Sequence, residues 1–173
     1  VLIQGIDHHL PEAYDLLQLF RFIPDARLDD IMLSLASDGG GVGPHYDSYD
    51  VFLLQMHGKR HWKIGPLANR DLEEGLPLKI LKDFTPTEEY VLEPGDMLYL
   101  PPGYGHDGVA QGTCSTLSIG FRAPTQAEVL SGILRDMADL IDGNPDMQSK
   151  LFSDPGRGMQ TSPAEIPDDM LTF

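Results

Sequence analysis

Three side chains suited to one metal ion, His45, Asp47 and His106, are split between two distant segments, each framed by glycine and proline. No single hairpin or helix can present such a set, so the chain must fold back on itself to close it. In an extended strand, positions i and i+2 point to the same face. His45 and Asp47 can therefore grip one ion together while Tyr46 points elsewhere. A third ligand must come from another strand, and His106 ends the run Gly95-Asp-Met-Leu-Tyr-Leu-Pro-Pro-Gly-Tyr-Gly-His. Two imidazoles and one carboxylate are what a mononuclear Fe(II) centre with open positions needs.

The surrounding pattern is that of many short strands. Ile31-Met-Leu-Ser-Leu-Ala reads as a strand, and Gly39-Gly-Gly-Val-Gly-Pro as a sharply turning lead into His45. Asp50 to Met56 is apolar on both faces, which predicts an inner strand. His57-Gly58 reads as a hairpin turn before a short strand, Arg60-His-Trp-Lys-Ile. Residues 66–90 are mixed and charged, and are expected to form loop and short helix. Met97 to Leu100 and Cys114 to Phe121 read as further strands. Together these argue for a mainly β sandwich or barrel.

Helices flank it. Pro11 at a first helical position, with Tyr14, Leu17 and Phe20 at helical spacing, predicts one before the barrel. Thr125 to Glu128 forms a capping box that opens a second, with Val129, Leu130, Ile133, Leu134, Met137 and Ile141 on one stripe and Gly143 at its end. The stripe is expected to pack on the barrel, with a dimer contact as the functional alternative. Beyond it, 144–173 reads as loop-rich, with Pro145, Pro155, Pro163 and Pro167. The division expected is therefore 1–124 for the barrel and its leading helix, and 125–173 for the second helix and the loop-rich remainder.

A chain of 173 residues, 41% hydrophobic and 23% charged, suits one domain with a real core. No stretch approaches the roughly 20 apolar residues needed to cross a bilayer. The start has no basic n-region, no cleavage site and no initiator Met, so the chain reads as an excised or processed piece of something longer. The single cysteine, Cys114, is expected as a buried thiol in a reducing compartment, which points to the cytoplasm. A formal net charge of −15 disfavours direct binding to nucleic acid. It attracts a basic protein or peptide, or simply keeps the chain soluble.

The run Gly95-x5-Pro101-x-Gly103-x2-His106 resembles the second motif of the cupin superfamily, and Gly39-x5-His45-x-Asp47 resembles the first, with Asp in place of the usual second His. That replacement resembles the JmjC-type 2-oxoglutarate oxygenases. His45-Tyr-Asp-Ser-Tyr-Asp-Val-Phe-Leu-Leu-Gln-Met-His-Gly-Lys-Arg-His-Trp-Lys and Ser118-Ile-Gly-Phe-Arg-Ala-Pro are similar to the ribosomal oxygenases of that group, most of all to bacterial ribosomal-protein arginine hydroxylases. The likeness covers most of 25–125. It implies a double-stranded β-helix of the jelly-roll or cupin type, with Fe(II) and with 2-oxoglutarate and O2 as co-substrates. It also implies a basic protein substrate, such as a ribosomal protein. Family members are longer, with a helical dimerisation region and a winged-helix-like domain after the barrel, so a homodimer is open and this chain reads as truncated.

Arg60 supplies an independent reason for a second ligand. A two-residue turn at His57-Gly58 sets Gln55 opposite Arg60, Leu53 opposite Trp62 and Val51 opposite Ile64. Odd numbering back from Val51 reaches Asp47 and His45, so Arg60 falls on the metal-binding face. A three-residue turn would flip it outward as a surface partner for an acid. An inward Arg needs an anion, and a dicarboxylate held by guanidinium at one end and iron at the other satisfies both. In the resembled family a basic residue here binds the distal carboxylate of 2-oxoglutarate.

Thr116 and Ser118 give their strand one small polar face, suited to a ligand cavity or to an edge facing water. By resemblance Thr116 sits where a polar 2-oxoglutarate contact is often placed, though Asn is commoner there. For a cationic substrate the acids nearest the metal motifs are Asp38, Asp50 and Asp107, and Asp50 and Ser118 are the candidate substrate contacts. Strict alternation puts Asp50 opposite Asp47, so its involvement requires a bend or bulge. His8, His9, His57 and His61 read as structural or solvated. The competing functions are a JmjC oxygenase acting on histidine or on another protein, and a metal-dependent cupin enzyme that does not use 2-oxoglutarate.

Overall fold

Residues 1–76, 78–153, 155–158, 162, 164, 166 and 168–172 are described by the computed structural model of the chain. The chain divides into two compact units, Val1–Pro124 and Thr125–Phe173. The first runs β1 (Leu2–Ile3), α1 (Pro11–Gln18), β2 (Leu28–Ala36), β3 (His45–Tyr46), β4 (Val51–Pro66), β5 (Glu88–Leu92), β6 (Met97–Leu100) and β7 (Tyr104–Phe121). All pairings are antiparallel, in the order β1-β2-β7-β4-β5, with β3 added to β7 and β6 to β4. The architecture is mainly β, as the run of short strands implies.

The expected hairpin at His57-Gly58 is not there. β4 passes through that dipeptide and stays paired with β7, from Val51↔Gly120 to Pro66↔Tyr104. The register slips between Gln55 and His57, and again between His57 and Lys59. Gly58 sits at φ 63°, and a Cβ there would lie 2.2 Å from the Thr113 carbonyl oxygen. A bulge leaves a residue unpaired and shifts the alternation of side chains. Val51, Leu53 and Gln55 are buried before it, and Arg60, Trp62 and Ile64 after it. A two-residue turn would change the parity in the same way, so Arg60 faces inward by a route the hairpin reading did not contain. Local turn chemistry loses here to pairing with β7, which continues on both sides of the dipeptide.

The bulge has its own polar support. Gln55 is fully buried, and its amide donates to the His57 and Gly58 carbonyls at 2.9 and 3.3 Å. Its carbonyl accepts from the Thr116 hydroxyl at 2.8 Å. Every polar group of this cross-strand pair is matched, as burial demands.

Alternation divides β7 between two tasks. Leu117, Ile119 and Phe121 pack with Ile31 of β2 and with Leu17 and Phe20, while His106 and Ser118 face the opposite way, into a cavity. Each large apolar side chain buried in that layer contributes about 1.5–3 kcal/mol. Pro11 does begin α1, but its buried face is Ala13 and Leu17, continued by Phe20 beyond the helix; Tyr14 is 54% exposed. The excursion from 67 to 87 contains no helix among its described residues. It is pinned by a bridge between Leu72 and Leu81 and by the Leu81 N–H, which donates to the Pro44 carbonyl.

The second unit comprises α2 (Gln126–Asp142), α3 (Pro145–Ser149) and α4 (Asp168–Leu171), so 144–173 is less loop-like than its prolines suggest. The capping box forms in full: Glu128 N–H donates to Thr125 Oγ1, and the Glu128 carboxylate accepts from Thr125 N–H. No residue of α2 is buried, and Val129 to Ile141 of its apolar stripe are exposed. Pro163 and Pro167 lie outside the described residues. No helix among the described residues is long and apolar enough to cross a membrane.

Gly58→Ala should destabilise the chain by about 2–4 kcal/mol, because it combines left-handed backbone strain with a backbone collision. Urea unfolding would show this as a lower midpoint with an unchanged slope. An unshifted midpoint would mean that the bulge is not built as described.

Candidate metal centre

β3 is only two residues long, yet it sets the centre. His45 pairs directly across from His106 of β7, with ring centroids 4.2 Å apart. Asp47 follows just beyond β3, and its Oδ2 lies 3.6 Å from His106 Nε2. One donor atom from each of the three side chains lies within 4.8 Å of the other two. The Gly103 N–H donates to the Asp47 carbonyl at 2.7 Å, so the Pro-Pro-Gly turn that delivers His106 also holds the backbone of Asp47.

Both imidazoles are oriented from behind. His45 Nδ1–H donates to the Gly43 carbonyl at 2.8 Å, and His106 Nδ1–H to the Tyr104 carbonyl at 3.1 Å. A carbonyl can only accept, so each ring carries its proton on Nδ1 and presents the Nε2 lone pair. This donor set fits Fe(II): two neutral imidazoles and a carboxylate converge, and the cavity in front of them leaves room for further ligands.

The cavity has a volume of about 480 Å³, enough for a small dicarboxylate with part of a second molecule. His45, Asp47 and His106 line it, as do Arg60, Trp62 and Ser118. Arg60 is 5% exposed; its guanidinium donates to Ser34 Oγ at 3.2 Å and to Cys114 Sγ at 3.5 Å, while Nε has no partner. No ion pair with Arg60 occurs among the described residues. A buried cation that lacks an anion is costly, and the open space beside it is the metal cavity.

Two sequence expectations meet other geometry. Thr116 does not line the cavity; it is 1% exposed and its proton is given to Gln55. Asp50 also lies off the cavity, where its carboxylate accepts from Arg27 at 2.6 Å and from Tyr99 at 2.7 Å. Burial raises its pKa, but those two bonds outweigh burial and hold it below the usual range. Asp38 instead accepts from the Gly112 N–H, and His61 pairs with Glu89.

Besides Asp47, the acids that line the cavity are Asp29 and Asp30, near the start of β2. A signal for Asp30 was present: Asp30, Met32 and Ser34 alternate with Ile31 and Leu33, and all three line the cavity. Tyr49 joins them, its phenol pushed up to about 12 by burial and by the Asp47 carboxylate beside it. Leu78, Lys79 and Ile80 supply another wall from the excursion, which strand patterning cannot place.

His106 is 3% exposed, and burial, then the neighbouring His45, pushes its pKa down to about 4. The Tyr104 carbonyl and Asp47 oppose this without winning. Between about pH 6.5 and 4, an unfolded metal-free chain takes up a proton at this imidazole that the folded chain refuses. Stability should therefore fall as pH drops through that window and level off below it. Denaturant midpoints measured across the window should fall less steeply in His106→Asn. Equal slopes would contradict the assignment.

A JmjC domain matches residues 15–129 of the chain. The chain is 39% identical to the ribosomal protein uL16 3-hydroxylase of Escherichia coli, over 98% of its own length and 45% of that protein's. It is 37% identical to a probable ribosomal oxygenase of Haemophilus influenzae, over 93% of its length and 40% of that protein's. The chain thus spans less than half the length of these curated relatives. Among solved structures, the Escherichia coli ribosomal oxygenase YcfD in complex with cobalt and 2-oxoglutarate matches 99% of this chain and 43% of its own, with TM-score 0.68 and 34% identity. Another X-ray structure of YcfD matches with TM-score 0.74 and 35% identity, over 99% of this chain and 45% of that one. Motifs, fold and donor geometry agree with these likenesses: the chain belongs to the JmjC domain family.

Proposed function

We propose that this chain carries the catalytic core of an Fe(II)- and 2-oxoglutarate-dependent oxygenase that hydroxylates an arginine of a ribosomal protein. The observation that carries the reading is Arg60, a buried cation with no acid, facing the same cavity as the His45, Asp47 and His106 cluster. A dicarboxylate able to chelate a metal at one end matches both features. A cupin enzyme without 2-oxoglutarate would leave Arg60 unexplained. YcfD, similar over nearly all of this chain, has been solved with cobalt and 2-oxoglutarate.

In this reading His45, Asp47 and His106 hold Fe(II), and Arg60 holds the far carboxylate of 2-oxoglutarate with Ser34 steadying the guanidinium. When bound, metal and co-substrate supply the oxidising chemistry: O2 is consumed, 2-oxoglutarate becomes succinate and carbon dioxide, and one oxygen enters a substrate C–H bond. The protein's own work is binding, orientation and exclusion of water. Burial keeps His106 neutral, so its lone pair is available without loss of a proton.

Arginine as the target rests on the acids. Asp30 Oδ2 accepts from the Gly5 N–H at 2.8 Å, which fixes the carboxylate. Its Oδ1 is 4.0 Å from where a Cβ on Gly120 would stand, on a residue that lines the cavity. Asp30 can therefore receive a cationic side chain entering toward the metal, with Ser118 as a further polar contact. The net charge of −15 favours a basic partner and disfavours nucleic acid. The exposed stripe of α2 supports reading 125–173 as part of a dimerisation-type region, and a ribosomal-protein substrate supports a cytoplasmic location.

With Fe(II), 2-oxoglutarate and arginine-containing ribosomal peptides, the chain should release succinate and add one oxygen to the peptide. His45→Ala should abolish both. Arg60→Ala should raise the KM for 2-oxoglutarate about tenfold or more while metal is retained, the loss expected for a charged hydrogen-bonded contact. Asp30→Asn should raise KM for the arginine peptide without affecting its neutral citrulline counterpart. Hydroxylation of histidine instead of arginine would overturn the choice of target, and no succinate under any condition would overturn the reading.

A further inference from the structure

Among the described residues, two buried side-chain donors have no protein partner, Arg60 Nε and Trp62 Nε1. Both side chains are 5% exposed, and both line the metal cavity. They stand two positions apart on β4, past the bulge, and so share its inward face. A buried donor left unmatched costs about 1–3 kcal/mol. Two such donors on one wall mark a place that calls for an acceptor. The third unmatched buried atom, Asp107 Oδ1, is an acceptor on a residue that does not line the cavity.

The position of the indole says what the acceptor belongs to. The Trp62 ring centroid is 6.0 Å from the His106 ring, and Arg60 Cζ is 5.8 Å from Trp62. The indole thus adjoins both the metal cluster and the cation. Its six-membered ring lies over Gly108, the residue paired with it on β7. A Cβ on Gly108 would come within 2.6–2.8 Å of Trp62 Cζ3, Cη2 and Cε3. Those carbons form the ring edge remote from the indole nitrogen, so the contact that seats the ring does not engage the N–H. Gly108 is what permits this seat.

We propose that Trp62 Nε1–H is a hydrogen-bond donor to the carboxylate that Arg60 anchors, so that two residues of β4 grip one end of the dicarboxylate. This rests on the co-substrate reading above and adds a residue to it. Ser34 and Cys114 each take one N–H of the terminal guanidinium nitrogens, while Arg60 Nε and the indole nitrogen are the buried side-chain donor atoms that have no protein partner among the described residues. Trp62 is then a binding residue as well as a wall.

Trp62 is the only tryptophan in the chain, so its indole N–H gives a single resonance in a 1H–15N spectrum. The whole chain would be loaded with Zn(II), a diamagnetic stand-in, and titrated with 2-oxoglutarate. A second titration would use 2-oxobutyrate, which keeps the 2-oxo acid and lacks the far carboxylate. The indole proton should move downfield and exchange more slowly with solvent in 2-oxoglutarate, and should stay in place in 2-oxobutyrate. Trp62→Phe should weaken 2-oxoglutarate about tenfold, a loss in the range for one hydrogen bond to a charged group, with Zn(II) affinity and 2-oxobutyrate affinity kept. An indole resonance that stays put at saturating 2-oxoglutarate, or moves equally with both acids, overturns the assignment and leaves the N–H to water. If calorimetry shows no binding of 2-oxoglutarate at all, the co-substrate reading itself falls and takes this one with it.

Discussion

The antiparallel pairing of β4 with β7 is the constraint on which the rest depends. It runs from Val51↔Gly120 to Pro66↔Tyr104, so one ladder spans both the apolar core and the metal cavity. Near its middle both strands contain a left-handed glycine, Gly58 and Gly112. The bulge there changes which side chains of β4 point inward, from odd to even numbers. Without that change Arg60 and Trp62 would face away from the cavity, and Lys59 and His61 toward it. The irregular stretch between Gln55 and Lys59 thus decides whether the cavity holds a buried arginine.

Both signs of charge line the cavity, with Lys79 in the wall from the excursion. Arg60 lies deep, among Trp62, Ser34 and Cys114, while Asp29 and Asp30 line the cavity from the start of β2 and the metal ligands present their own carboxylate. On the proposed reading, a dicarboxylate would be drawn to Arg60 and a cationic side chain to the acids. On that reading the two ligands would have to be held together for chemistry between them. Asp50 is no substitute for Asp30 in that role. Asp50 is occupied by Arg27 and Tyr99, a contact that ties the start of β4 to the segment before β2.

The sequence made the metal cluster legible because each ligand sits in a short motif whose glycines and prolines have local jobs. His45, Asp47 and His106 needed only strand alternation and one return of the chain to meet. Arg60 was legible in its direction and not in its setting: the His57-Gly58 dipeptide looks like a turn, and only the length of β7 turns it into a bulge. Asp30 could have been read from its alternation with Ile31 and Leu33, but nothing local says which face of β2 meets the metal. The wall from Leu78 to Ile80 was not legible, since an irregular excursion has no period to read and is positioned by a few contacts such as Leu81 to Pro44. The stripe of α2 was plain as a pattern, but a pattern does not name what covers it.

Keeping Arg60 buried without an anion lowers the stability of the ligand-free chain, and this has a thermodynamic counterpart in binding. A dicarboxylate that pairs with the guanidinium and gives acceptors to the unmatched donors removes a penalty the fold already carries. Part of its affinity therefore comes from relief of cost in the protein, and the fold gains what the ligand gains: about 2.7 kcal/mol when the ligand is at a hundred times its Kd. The donors are in place beforehand, held by Ser34, Cys114 and the seat of Trp62 on Gly108, so little ordering is lost on binding. The metal cluster follows the same logic, with each Nδ1 tied to a carbonyl and each Nε2 already free. On the proposed reading, a cavity built this way spends stability on an arrangement that is complete only once metal and dicarboxylate are bound.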